Sequence, residues 1–316
     1  MKPCIELINC KICVISQRCS GFMGSGLRTL VLLNPISGGY SKAGLRQSIE
    51  NELCKKTFDF QIVETQSTEH LTRLAGEAVN QHIDLLVAVG GDGTVSRAAA
   101  LVAGSGTTLG IIPAGSGNGY ARSLGIPMNY SKAIAVLNQY QATMVDTGLL
   151  NGKTFVNVAG IGFDAHVAAM FQHSQKRGLI NYARISIGEY FKYKPFACQI
   201  NQQGAMSTEQ AMIISICIGS QFGNNAYIAP LADMRDGKFD ITIIRDAGLL
   251  HVPGIIWRLF SKRLKPSDQI KMFAADKFQI IRTGPAVVHL DGDAYHEQAI
   301  LNFQVKPLSL RVLTCR

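Results

Sequence analysis

An unbroken apolar run, Leu85-Leu-Val-Ala-Val89, stops at Gly90-Gly91-Asp92-Gly93-Thr94 and gives way to an Ala-rich segment over residues 95–102. The run has the length of a strand and is too short for an ordinary helix, whereas the segment after the glycines reads as a helix. Strand, glycine turn and helix N-terminus together form an anion site. The first helical N–H groups have no internal partner, and the helix dipole places partial positive charge there. Glycines let the backbone approach a phosphate, because no Cβ stands in the way. Asp92 is the odd member, since a carboxylate repels phosphate unless a divalent cation or an abstractable proton lies between them. The plainer reading is a tight strand-to-helix turn with Asp92 as N-cap.

The surroundings repeat this rhythm. Strands are predicted at 30–33, 58–64 and 109–112, and helices at 41–54, 68–82, 119–124 and 127–140. Strands alternating with helices give a parallel sheet covered on both faces, a doubly wound α/β domain. Ligands of such sheets bind beyond the carboxyl ends of the strands. Three loops fall there: 34–39, 90–94 and 115–118. After Thr143 the pattern changes to strand-like segments with few helices between them, at 144–148, 155–159, 197–201, 211–218, 239–244, 278–281 and 286–290. That predicts an antiparallel second domain. Two helical stretches interrupt it, 165–193 and 249–264, each mixing aromatic and aliphatic residues with Lys and Arg. Basic charge beside an apolar face suits a bilayer interface. An ordinary amphipathic helix packed on the domain core explains the same pattern.

At 316 residues the chain is long enough for two cores. No window is apolar enough for a membrane span. The net charge of +9 favours anionic partners, but the basic residues are spread out rather than gathered in one arm. That speaks against nucleic acid and leaves membrane surfaces and phosphate-rich ligands. The cysteines form no disulfide framework, which points to a reducing cytoplasm. Cys10-Lys-Ile-Cys13 has CxxC spacing without the further ligands a zinc site needs. Residues 1–28 read as a flexible leader rather than a signal peptide, since polar residues keep breaking any apolar centre.

Four motifs occur in order: Asn34-Pro-Ile-Ser-Gly38, Gly90-Gly-Asp-Gly-Thr94, Pro113-Ala-Gly-Ser-Gly-Asn118 and Leu290-Asp-Gly-Asp293. In sequence and spacing they resemble the diacylglycerol kinase catalytic-domain family, which includes bacterial lipid kinases and sphingosine and ceramide kinases. The likeness runs from about Leu30 to the C-terminus. The glycine turn alone is less specific, because NAD kinases and phosphofructokinases carry a similar one. The resemblance implies an ATP-binding α/β domain over 29–143, rejoined by about 307–316, and a lipid-binding β-sandwich over 144–306, with the active site in the cleft between them. ATP would be held by Asn34, Ser37, Thr65, Gly90, Gly91, Asp92, Gly93, Thr94 and Ser116. Asp293 matches the family's general base, in a motif that usually reads Asp-Gly-Glu. Asp291 would orient the loop or a metal-bound water, and Asp92 would act on Mg²⁺ through water. A second, structural Mg²⁺ is implied at Asp236, with backbone oxygens of Asp233 and Lys238. A plain Asp-Gly turn between strands is the alternative there.

Two positions depart from the family pattern. Ser96-Arg97 stands where Asn-Glu is common, and Gly119-Tyr120 follows Asn118 where many bacterial diacylglycerol kinases have Asp-Phe. The second leaves the lipid open between diacylglycerol and a sphingoid base or ceramide. The resemblance thus implies an ATP- and Mg²⁺-dependent lipid kinase, cytoplasmic and peripheral to the inner face of the membrane, with a homodimer left open. A catalytically silent lipid-binding protein and an NAD kinase are the alternatives.

Overall fold

The structure, a computed structural model, describes residues 26–36, 42–174 and 179–315. Residues 1–25 of the expected leader and Ser37 lie outside the described residues, while Leu27 and Arg28, expected in that leader, belong to the first strand. The first domain alternates β1 (Leu27–Leu33), α1 (Lys42–Glu52), β2 (Phe58–Glu64), α2 (Thr68–Asn80), β3 (Leu85–Gly90), α3 (Asp92–Val102), β4 (Thr108–Pro113), α4 (Gly119–Ser123) and α5 (Tyr130–Gln139). The strands pair in parallel in the order β2-β1-β3-β4. Two helix pairs, α1 with α5 and α2 with α3, pack against one another along it. Every residue of β3 and β4 is buried, whereas the edge strand β2 alternates. Strands covered on both faces read as continuous apolar runs, and an edge strand need not.

The second domain contains β5 (Ala142–Leu150), β6 (Lys153–Phe155), β7 (Val158–Gly162), α6 (Phe163–Gln172), α7 (Leu179–Tyr190), β8 (Phe196–Gln202), β9 (Ala205–Ala211), β10 (Ile213–Cys217) and β11 (Phe239–Ile244). It continues with α8 (Gly248–Phe260), β12 (Ile270–Ala275), β13 (Lys277–Ile281), β14 (Ala286–Leu290), β15 (Asp293–Glu297) and β16 (Ile300–Leu313). One sheet runs β12-β11-β10-β7-β14-β15, antiparallel throughout. Its opposing layer is β16-β13-β8-β9, which continues the parallel sheet of the first domain. Phe239 of the first layer meets Phe278 and Phe303 of the second edge-on, and those two stack at 5.0 Å. Offset and edge-on contacts suit the ring quadrupoles and fix the spacing of the two layers.

β16 is the shared member. It pairs with β13 at one end, with β5 along most of its length, and in parallel with β4 through Val312 and Leu109. Its register shifts between Lys306 and Leu310, where Leu308 has φ +45°. Buried Asp146 fastens that irregularity by accepting from Leu308 N at 2.7 Å. The helical stretch predicted at 165–193 is two helices, α6 and α7, packed on each other. The helix predicted at 95–102 begins earlier, at Asp92, inside the glycine turn.

Candidate active site

The carboxyl ends of β1 to β4 bring the predicted loops together. Asn34 N donates to Val89 O at 2.9 Å, and its Nδ2 donates to Thr94 Oγ1 at 2.8 Å. Thr65, buried at the end of β2, donates its N–H to Leu33 O at 2.8 Å. Ala114 N reaches Gly90 O at 2.8 Å. Asn34, Thr65 and the Gly90–Thr94 turn therefore share one rim, and Ser116 stands exposed at the tip of the neighbouring loop. The loops touch backbone to backbone: a Cβ on Gly115 would lie 2.4 Å from Gly91 Cα. Only glycine permits that approach.

Asp92 does not cap its own helix. Gly91 is the N-cap of α3, with no side-chain bond, so the N-cap reading of Asp92 is corrected. Its carboxylate crosses to the next loop instead, where Oδ2 accepts from Asn118 N at 2.7 Å and Oδ1 from Gly119 N at 2.6 Å. Asn118, left-handed at φ +52°, closes a ring on Gly115 through both ends of its amide. Asp92 thus serves the N-terminus of the short helix α4, a role no local sequence signal reveals. Burial pushes its carboxyl above the usual range, and the N–H donors of Gly119 and Asn118 oppose that.

The second domain contributes the Asp291-Gly292 turn. Both residues have positive φ, +52° and +94°, as a two-residue hairpin of the right twist requires. The turn pairs Leu290 with Asp293 and sets Asp293 first on β15. The Asp291 carboxylate accepts from Val156 N, Asn157 N and Val158 N at 2.8–3.0 Å, so it anchors the turn to the domain junction. Burial drives its pKa up to about 6 against those three donors. Beneath the turn, His289 Nδ1 accepts from Gly292 N at 3.3 Å, which leaves Nε2 to face Asp164 Oδ2 at 3.3 Å. Ser215 donates to the same Asp164 oxygen at 3.4 Å, and all three side chains are buried. Among the described residues the hydroxyl of buried Tyr120 meets no hydrogen-bond partner.

Asp293 turns toward the first domain. Its Oδ2 lies 2.5 Å from Arg97 Nη2, the two side chains being 32% and 38% exposed. Arg97 sits on α3, the helix that opens with Asp92, so one ion pair joins the glycine turn's helix to the acid of the other domain. Sequence reading noted Arg97 as a departure but missed the contact, because its partner is 196 residues away. Close by, the loop over 219–226 covers α4: Asn224 N donates to Gly117 O at 3.2 Å, and a Cβ on Gly119 would meet Phe222 O at 2.3 Å. That crowding leaves no room for a side chain at position 119.

The acidic loop lies elsewhere, against Asp146. Asp146 Oδ2 accepts from Gly237 N at 2.8 Å, Asp236 Oδ1 accepts from Lys238 N at 3.0 Å, and Asp233 Oδ1 accepts from Arg235 N at 3.1 Å. Burial, then the charges of Asp236 and Asp233, raise the Asp240 carboxyl to about 6. Among the described residues no group of three or more His, Cys, Asp or Glu side chains forms a metal cluster.

A mostly parallel α/β domain is thus joined to an antiparallel sandwich whose acid, Asp293, pairs with the helix that follows the glycine turn. The diacylglycerol kinase catalytic domain matches residues 28–150, and the YegS C-terminal NAD kinase beta sandwich-like domain matches residues 157–314. The chain belongs to this family of lipid kinases, phosphotransferases with an alcohol group as acceptor. It is 29% identical over 297 residues to the probable lipid kinase YegS-like of Enterobacter sp. strain 638, covering 91% of this chain and 95% of the relative. It is 27% identical over 234 residues to the diacylglycerol kinase of Bacillus subtilis strain 168, covering 70% and 75%. The fold matches a crystal structure of a diacylglycerol kinase from Bacillus anthracis strain Sterne with a TM-score of 0.72 at 20% identity, over 92% of this chain and 98% of that one.

Proposed function

We propose that this chain transfers the γ-phosphoryl group of ATP, with Mg²⁺, to the hydroxyl of a membrane lipid, diacylglycerol or a sphingoid or ceramide-type lipid. The observation that carries the reading is the Asp293–Arg97 pair, which sets a second-domain carboxylate against the helix of the glycine turn. Asn34, Ser37, Thr65, Gly90 to Thr94 and Ser116 hold the triphosphate, with first-turn N–H groups of α3 and short hydroxyls as donors. Asp293 takes the proton from the lipid hydroxyl as its oxygen bonds to the γ-phosphorus and the bond to ADP breaks. Asp291 acts on the turn, through its three N–H contacts, and not on substrate. Mg²⁺ supplies neutralisation of phosphate charge, and the remaining lone pairs of Asp92 suit a water-mediated contact to it. The loop of Asp233, Asp236 and Lys238 offers hard oxygen donors for a second, structural Mg²⁺. Asp240 lies beside it, raised first by burial and then by the charges of Asp236 and Asp233, and a cation would offset the second of these. Work at the inner face of a membrane fits these roles, and no helix among the described residues is long and apolar enough to cross one.

The test is direct. The full chain is incubated with labelled ATP, Mg²⁺ and a total lipid extract, and products are identified by mass spectrometry. The expected result is one labelled phospholipid whose formation falls by about 10²–10⁴ in Asp293→Asn, with ATP binding retained. No labelled lipid despite ATP binding favours the silent alternative, and undiminished turnover removes Asp293 from the chemistry.

A further inference from the structure

The helix α8 is not claimed by the core it sits on. None of its residues is buried. Ile255 and Leu259 lean on a small cluster that includes Val158, Cys217 and Ile228, and Tyr227 N donates to Leu259 O at 2.9 Å. That fastens one line of the helix. Leu249, Leu250, Pro253, Ile256, Trp257 and Phe260 then share an outward arc of about 120° on a 3.6-residue wheel. Leu250 is 93% exposed and Trp257 58%. Within the stretch 249–264 the packed-on-the-core reading holds for Ile255, Leu259 and Leu264 and fails for the outward arc.

Charge follows the apolar arc at one end. Arg258, Lys262, Arg263 and Lys265 cluster at the helix C-terminus, where the dipole favours cations. Lys262 reverses the chain at φ +59° and lies over the Tyr227 ring at 5.2 Å, and Arg263 lies over Trp257 at 5.5 Å. Trp257, Arg258, Arg263, Leu264 and Lys265 border an open hollow of about 390 Å³. Ile187 of α7 and Phe191 just past its end are exposed as well.

Large apolar patches on a soluble surface mark interaction sites. An outward apolar arc, a tryptophan at its margin and a cationic collar form the combination that binds in the plane of an anionic bilayer. A second copy of the chain is a poorer occupant, because two molecules at +9 repel. We propose that α8 and the collar of Arg258, Lys262, Arg263 and Lys265 dock on a bilayer of anionic phospholipid, the apolar arc at the acyl boundary and the cations on headgroup phosphates. The proposal deepens the lipid-kinase reading by naming the surface on which a membrane-borne substrate is met, and it rests on that reading for its purpose; the binding itself requires no turnover.

Trp257 is the single tryptophan of the chain, so its fluorescence reports on α8 alone. The full chain is titrated with phosphatidylcholine vesicles with and without phosphatidylglycerol, including brominated acyl chains. The expected result is a blue shift and bromine quenching that need phosphatidylglycerol and weaken with salt. Leu250→Asp with Ile256→Asp abolishes both signals. Arg258→Gln with Arg263→Gln and Lys265→Gln weakens vesicle affinity by about a hundredfold. Both variants keep wild-type melting and wild-type phosphorylation of detergent-dispersed lipid. Emission that vesicles do not move, variants that bind as the wild type does, or a blue shift that grows with protein concentration alone overturns the proposal. Insertion of Trp257 without lipid phosphorylation sinks the kinase reading and upholds the docking surface, and the reverse outcome does the opposite.

Discussion

Arg97→Gln removes the charge facing Asp293 while keeping a side chain of similar reach. A hydrogen bond to a charged partner contributes about 1.5–3 kcal/mol when shielded. With about a third of each side chain open to water, screening cuts the ground-state share to ~1 kcal/mol. A loss of that size lowers the melting temperature by about 1–2 °C in a chain of this length. Turnover should suffer more. As the lipid proton moves to Asp293, charge builds on the transferring phosphoryl group, and Arg97 lies beside the acid that must stay aimed at the attacking oxygen. Losing that placement at about 1.5–3 kcal/mol of barrier slows kcat roughly ten- to a hundredfold. KM for ATP should change little, because Arg97 stands on the body of α3 and not in the loops. Arg97→Lys keeps the charge without the planar fork and should fall between the two. The assay is steady-state lipid phosphorylation in mixed micelles, run as a double-mutant cycle with Asp293→Asn. A coupling of at least ~1 kcal/mol is expected for side chains in contact. A kcat within about twofold of wild type, or strictly additive losses, would refute the reasoning.

Other consequences are open to measurement. Gly115→Ala drives a Cβ to within 2.4 Å of Gly91 Cα, so the two phosphate loops must part; nucleotide affinity, read by calorimetry, should drop at least about tenfold and stability by ~1–3 kcal/mol. Millimolar Mg²⁺ without nucleotide should raise the melting temperature of the wild type, and Asp236→Asn should erase that rise while leaving the metal-free melt nearly unchanged. Asp240 has a folded pKa of about 6, above its unfolded value, so the native state holds the extra proton. Stability from this group is therefore complete below about pH 4 and is lost as pH rises through 6. Screened by solvent the effect is about 1 kcal/mol, and Asp240→Asn should flatten that part of a melting-versus-pH curve.

The first domain was legible because its central strands are buried on both faces. Leu85 to Val89 and Leu109 to Ile112 stand out as apolar runs that nothing but a covered sheet explains. The weaker strands were not. β9 reads Ala-Met-Ser-Thr-Glu-Gln-Ala, an edge strand whose buried Glu209 is paired with Arg245 and Lys271 from two other segments. β15 opens on Asp293, and its Asp-Ala-Tyr-His-Glu has no apolar period. In the site, the loops followed from glycine spacing, while the partnerships did not. Asp92 looks like a cap for its own helix until Asn118 N is found against it. Arg97 looks like a blemish until Asp293 arrives from the far end of the chain. Local signals carry backbone shape, and contacts between distant segments are set by the packing of whole layers.

The strand β16 has a mechanical consequence. A single fourteen-residue element is hydrogen-bonded into both halves of the molecule, so a swing of one half against the other has to pass through it. The interruption at Lys306–Leu310, where Asp146 holds Leu308 N, is the one break in its ladder with β5. Any relative movement of the glycine loops and Asp293 is thereby channelled through one strand that both domains share.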